Sequence, residues 1–327
     1  MIYPWQEKQW QQLWQSVQGG RLPHALLLSG MAGTGKSAFA IHAAQALLCQ
    51  NVSNAGDVCG SCHHCRLVIT QAHPNIYYVS PEKDGHAIKV DQIRELSEFV
   101  QQSSLKGAHR FVIINPAHSM NMNAANALLK TLEEPASGAV IILISDQISH
   151  LPATIRSRCQ RILFQRPDQQ IALKWLRSQQ TTDQMQPEKL LRLAHGAPLA
   201  ALSLIQDDIM PLRDDIFQSL LKLAEKRIDP LTLAAKWQKL DPVKWMDMIS
   251  AWAADLVRLQ FGAKTTQLTN QDYEGMLNSC AKRMPVKCNL RLLEDVLGAQ
   301  RQMQAGINFN KQLLLESVLI RWAGNAS

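Results

Sequence analysis

His24–Ile41 reads HALLLSGMAGTGKSAFAI, and three successive signals in it decide the fold. Leu26, Leu27 and Leu28 form a short apolar run, as a strand buried on both faces of a parallel sheet requires. Gly30-Met31-Ala32-Gly33-Thr34-Gly35-Lys36-Ser37 then fits G-x-x-x-x-G-K-[ST] at every fixed position. Ala38–Leu48 follows as an Ala-rich helix. Strand, glycine loop and helix, in that order, are the context a phosphate-binding loop needs.

The residue types follow from the chemistry. Glycines let backbone N–H groups turn inward around phosphate oxygens, and the helix N-terminus adds positive potential. Lys36 is expected to reach the β/γ-phosphates, and the Ser37 hydroxyl to take a place on Mg²⁺. Gly30, Gly33, Thr34, Gly35, Lys36 and Ser37 are therefore the candidate contacts for ATP or ADP. Hydrolysis is a separate question from binding.

Upstream, residues 7–18 carry Trp10, Leu13, Trp14 and Val17 on one helical face, a stripe read as core, and Gly19-Gly20 ends the helix. Downstream, Cys49, Cys59, Cys62 and Cys65 are spaced C-x9-C-x2-C-x2-C. C-x2-C pairs present two thiolates to one ion, and four thiolates close a tetrahedron, so a structural zinc knuckle spanning 49–65 is expected. His63 and His64 are rival ligands, while Cys159, Cys280 and Cys288 read as ordinary buried thiols.

Further strands are expected at 76–79, 110–115, 139–144 and 162–164, with helices at 90–102 and 123–134. Alternating strands and helices describe a parallel, doubly wound sheet. The strand Arg110–Asn115 runs into Pro116. In a P-loop NTPase this is where one acid anchors Mg²⁺ through water and a second polarises the attacking water. Both positions are neutral here. Beyond Pro167 strands cease: helices are expected at 169–178, 187–194 and 199–206, then at about 212–227, 230–239, 242–260, 271–282, 289–304 and 309–323. The expected domains are an α/β nucleotide-binding part at 1–166, a small helical part at 167–207 and an all-helical part at 208–327.

With 327 residues, 46% hydrophobic and 19% charged, the composition is that of a globular chain with room for two or three cores. The net charge of +7 is spread along the chain, without a basic block that would mark a nucleic-acid surface. MIYPWQEKQW has neither a basic start nor an apolar run, and no stretch is long and apolar enough for a membrane span. Seven cysteines without a secretion signal suit a reducing compartment, with the cytoplasm as the expectation.

These features together resemble the AAA+ clamp-loader subunits of bacterial DNA polymerase III. The resemblance covers nearly the whole chain. It rests on the cysteine knuckle straight after the P-loop helix, on His73-Pro74, on Asn126–Pro135 (NALLKTLEEP), on Ser157-Arg158-Cys159 and on Asn308–Glu316 (NFNKQLLLE). It implies a AAA+ domain, a lid and a helical collar, in a hetero-oligomeric ring with gamma/tau and delta subunits that acts on a sliding clamp and primed DNA. Arg158 would be an arginine finger, acting in trans on a neighbour's nucleotide. Two departures from the motor pattern point to the non-motor branch. The acids at the end of the strand are Asn115-Pro116, and the lid arginine falls, by alignment on Gly196, at Leu199. An active gamma/tau-type ATPase is the alternative, disfavoured by the missing acids. A small-molecule P-loop kinase leaves the knuckle and helical third unused. A zinc-dependent DNA-binding module is poorly served by a knuckle with only Arg66 nearby.

Overall fold

The computed structural model describes residues 1–83, 85–101, 109–179, 186–304 and 310–325. Five strands are found among them: β1 Ala25–Gly30, β2 Ile76–Val79, β3 Arg110–Ile114, β4 Ala139–Ser145 and β5 Gln160–Phe164. They form one sheet in the order β2-β3-β4-β1-β5, parallel throughout. Side chains alternate across a strand, and the alternation sorts the core into two layers. Ala25, Leu27, Val112, Ile114, Ile141 and Leu143 face one layer. Leu26, Leu28, Phe111, Ile113, Val140 and Ile142 face the other. Both faces are covered, which is why β1 and β4 read as unbroken apolar runs.

One layer is built by α1 Glu7–Gln18, α2 Lys36–Leu48 and α3 His63–Ile69, the other by α4 Val90–Gln101, α5 Met122–Glu133 and the short α6 Ala153–Arg156. Lys36 and Ser37 form the first turn of α2, two residues earlier than the sequence suggests. α5 is capped by Asn121, whose Oδ1 accepts from the Ala124 N–H at 2.8 Å, and it stops just before Glu134-Pro135. α3 is absent from the sequence expectations. Cys62 caps it through its sulfur, a cap that no Ser, Thr, Asp or Asn announces. β5 starts two residues before its apolar core because Gln160 and Arg161 are exposed on an edge strand. Gln102, expected to close the α4 helix, lies outside the described residues.

Three helices follow the sheet, α7 Gln169–Gln179, α8 Pro187–Leu193 and α9 Pro198–Gln206, the last of them continuing past the end of the first compact unit. The units are Met1–Leu202 and Ser203–Ser327. The second holds α10 Ile209–Ala224, α11 Pro230–Trp237, α12 Pro242–Gln260, α13 Glu274–Arg283, α14 Val286–Gln304 and α15 Lys311–Asn325. α10 begins before Pro211 rather than after it, since a proline in a first turn removes an N–H that has no helical partner anyway. Trp237, Trp245, Trp252, Phe217 and Trp322 fill its core. Buried Arg213 bonds both carboxylate oxygens of Asp272 (2.6 and 2.8 Å), and buried Asp255 accepts from the Thr269 and Asn270 N–H groups (3.0 and 2.8 Å). These pairs fix the 269–273 turn onto α10 and α12, and removing one partner costs several kcal/mol, roughly 3–5. Asn308 and Phe309 of the C-terminal resemblance lie outside the described residues.

Candidate functional site

The loop between β1 and α2 lies at the carboxyl end of the sheet, where open α/β sheets hold their ligands. Two of its glycines are required by close approaches within the chain. A Cβ on Gly33 (φ +72°) would come 2.7 Å from the Ala200 Cβ, and one on Gly35 (φ +86°) 2.6 Å from the Tyr3 ring. The Gly33 carbonyl accepts from the Leu199 N–H at 3.1 Å. The Thr34 carbonyl accepts from Trp5 Nε1 at 2.9 Å and Gln6 Nε2 at 2.8 Å. Leu199 thus sits directly against the glycine loop, with an aliphatic side chain where the resemblance asks for an arginine.

Lys36 is buried, and its Nζ donates to the Gly30 carbonyl at 2.9 Å and the Met31 carbonyl at 2.6 Å, and lies 2.5 Å from Asp146 Oδ1. Asn115, just past β3, donates its amide to Ser37 Oγ at 3.1 Å. The residue that follows β3 therefore does reach the serine of the glycine loop, but as a neutral amide. His118 Nδ1 is 3.3 Å from Ser145 Oγ, and burial holds its pKa below the usual histidine value against the pull of nearby Asp146. The positive-φ glycines, the lysine, the hydroxyl and the helix N-terminus fit a phosphate group. Asp146 is a participant that the sequence expectations do not include. Its signal is an acid at the carboxyl end of the strand next to β1.

Arg158 lies elsewhere. It precedes β5, and β5 opens with Gln160 opposite Leu26, four residues before Gly30. The register separates Arg158 from its own glycine loop by at least about 13 Å of strand, at the amino end of the sheet. Its guanidinium donates to the Thr154 carbonyl at 2.9 Å and pairs with Glu133 at 2.6 Å, and it remains exposed.

Cys49, Cys59, Cys62 and Cys65 come together with all four sulfurs within 4.8 Å of one another, so the cluster could hold a metal ion. Backbone N–H groups point at the sulfurs: Cys62 N to Cys59 Sγ and Cys65 N to Cys62 Sγ, each 3.4 Å. These bonds favour the thiolate and pull Cys59 down to about 6, whereas burial pushes the Cys65 thiol up to about 12. The rival histidines stand apart. His63 is exposed, and His64 Nδ1 is 2.9 Å from His73 Nε2. His73 Nδ1 accepts from the Asn75 N–H at 3.0 Å, so its Nε2 carries the proton donated to His64. The segment joining Cys49 to Cys59 rests on α1: Trp10 and Trp14 donate their indole N–H groups to the Ala55 and Asn54 carbonyls at 3.2 and 2.9 Å. The tryptophan stripe is core, as its periodicity suggests, and it also anchors the knuckle.

Comparison with known proteins covers almost the whole chain. A family model described as DNA polymerase III, delta subunit matches residues 5–168. One for the AAA+ ATPase lid domain of DNA polymerase III subunit delta' matches 167–206, and one for the C-terminal part of the DNA polymerase III delta subunit matches 207–324. The DNA polymerase III subunit delta' of Pseudomonas aeruginosa is 36% identical over 326 residues, 98% of this chain and 97% of that one. The Escherichia coli subunit delta' is 32% identical over 98% of this chain and 94% of its own length. That of Bacillus subtilis is 39% identical over 47% of this chain and 45% of its own. The chain belongs to the family of DNA polymerase III delta-prime subunits, a clamp-loader family.

Proposed function

We propose that this chain is the clamp-loader subunit that assists ATP hydrolysis at a neighbour without hydrolysing ATP itself. The observation that carries the reading is the split between its two half-sites. Ser37 of the phosphate loop meets Asn115 rather than an acid at the end of β3, while Arg158 stands exposed at the opposite end of the sheet. An arginine that far from its own loop can act only on a nucleotide held by another subunit. There it supplies charge where the transferred phosphoryl group becomes more negative.

In this reading gamma/tau and delta subunits share the ring, the collar at 208–327 holds the chain in it, and the lid at 167–207 closes on the AAA+ part at 1–166. The assembly opens a sliding clamp and closes it on primed DNA in the cytoplasm. The metal is zinc. A tetrahedron with Zn–S bonds of about 2.3 Å spaces its sulfurs about 3.8 Å apart, close to the 3.5 Å of Cys49–Cys59 and the 3.9 Å of Cys59–Cys65. Four thiolates leave no open position, so the ion is structural. Gly30–Ser37 binds nucleotide phosphate passively, with Lys36 as the charge and Ser37 as the hydroxyl for Mg²⁺.

The test is reconstitution with motor subunits from the same cell. The chain alone turns over ATP negligibly, and adding it to motor and delta subunits raises clamp- and DNA-stimulated turnover. Steady-state hydrolysis by the pure chain, abolished by Lys36→Ala, would instead make it a motor.

A further inference from the structure

β4 lies beside β1 in the sheet, so Asp146, the residue after β4, emerges next to the loop that follows β1. Its Oδ1 is 2.5 Å from Lys36 Nζ, whose other hydrogen bonds go to the Gly30 and Met31 carbonyls. An ammonium has three protons to donate, and all three have acceptors from the chain itself. The Lys36 side chain is 3% exposed and that of Asp146 39%, so the carboxylate covers the lysine from the solvent side. In a loop of this pattern the lysine is the charge that receives the β- and γ-phosphates. Here it already holds an anion, carried on the same sheet.

We propose that the Asp146 carboxylate takes the place of the terminal phosphate on Lys36, so that the Gly30–Ser37 loop selects a nucleoside diphosphate against the triphosphate. The inference rests on the reading of Gly30–Ser37 as a phosphate site and adds its ligand class. Three groups around the loop point the same way. A γ-phosphate would be brought against a carboxylate, and like charges at contact distance repel. Leu199, in contact with the loop through its N–H, offers no cation to offset them. Asn115, bonded to Ser37, adds no acid to anchor the metal ion that would screen them. A diphosphate needs less: the loop N–H groups, the Ser37 hydroxyl and one share of Lys36.

The experiment is equilibrium binding of fluorescent ADP and ATP analogues to the full chain, with and without Mg²⁺, for wild type, Asp146→Asn, Asp146→Ala and Lys36→Ala. Thermal melts without nucleotide check that each variant is folded. Wild type should bind ADP at least roughly tenfold more tightly than ATP, and both Asp146 variants should remove most of that ratio by gaining ATP affinity. Wild type binding neither nucleotide while Asp146→Asn binds ATP overturns the diphosphate selectivity, because Asp146 would then close the loop to both nucleotides. An unchanged ADP-to-ATP ratio in the Asp146 variants, with binding lost in Lys36→Ala, overturns the proposal and leaves the phosphate loop standing. Weaker MgATP binding by Asp146→Asn also overturns it, because Asp146 would then be helping to hold the metal. No binding by wild type or either Asp146 variant overturns both the proposal and the reading of the loop.

Discussion

Arg158 and Glu133 form an ion pair, 2.6 Å from guanidinium to carboxylate, between the turn entering β5 and the last residue of α5. Both side chains are substantially exposed, 36% and 49%. An exposed pair of this kind contributes little to stability, about 0–1 kcal/mol. What it does is hold the arginine in one direction. Glu133→Gln should therefore leave the urea unfolding midpoint almost unchanged while lowering the ATPase of the reconstituted complex by less than loss of Arg158 does. A midpoint shift without any ATPase change would make the pair structural only.

The four-sulfur cluster predicts one zinc ion per chain, retained through purification without added metal. Structural sites of this type contribute directly to folding free energy. Cys62 both belongs to the four-sulfur cluster and caps α3, and Cys65 follows in its first turn. Cys62→Ser should lose the metal and lower the unfolding midpoint of the first unit. Elemental analysis well below one equivalent, or full stability of Cys62→Ser, contradicts the assignment.

His42 packs edge-on to Trp10, ring centroids 4.6 Å apart, and its Nδ1 is buried with no hydrogen-bond partner among the described residues. Burial, reinforced by the positive N-terminus, lowers its pKa from 6.5 to about 4. A lowered histidine pKa means that the unfolded chain binds the proton first. Its contribution is fully present above pH 6.5 and is lost as the pH falls toward 4. Between pH 7.5 and 5 the wild type should lose about 2 kcal/mol relative to His42→Leu. Urea denaturation of both chains at the two pH values measures this, and parallel changes contradict it.

Much of this is legible in the residues because burial on two faces leaves an unmistakable apolar run. Ala139–Ser145 is buried at every position, and its apolar run marks the strand to within one residue at its end. The edge strand β5 shows its outer residues to water, so Gln160 and Arg161 hide its start. The glycine loop and the cysteines are spacing signals and survive without context. α3 has no such signal, because a sulfur cap looks like a ligand and nothing more. Asp146 is hidden for a different reason: its role depends on β4 lying beside β1, and strand order is not written in either strand. The same holds for Arg158, whose distance from its own loop follows only from the pairing of Gln160 with Leu26.

The most direct test of the central claim is steady-state, clamp- and DNA-stimulated ATP hydrolysis by a complex reconstituted with Arg158→Ala in place of the wild-type chain. The substitution removes an exposed side chain, so assembly, metal content and folding should persist. Arginine fingers in phosphoryl transfer contribute about a thousandfold or more at the site they serve. The account predicts that this one site's share of turnover disappears while sites served by other subunits persist, and that Arg158→Lys rescues poorly because a point charge cannot replace the planar fork. Wild-type hydrolysis and clamp loading by the Arg158→Ala complex would contradict it.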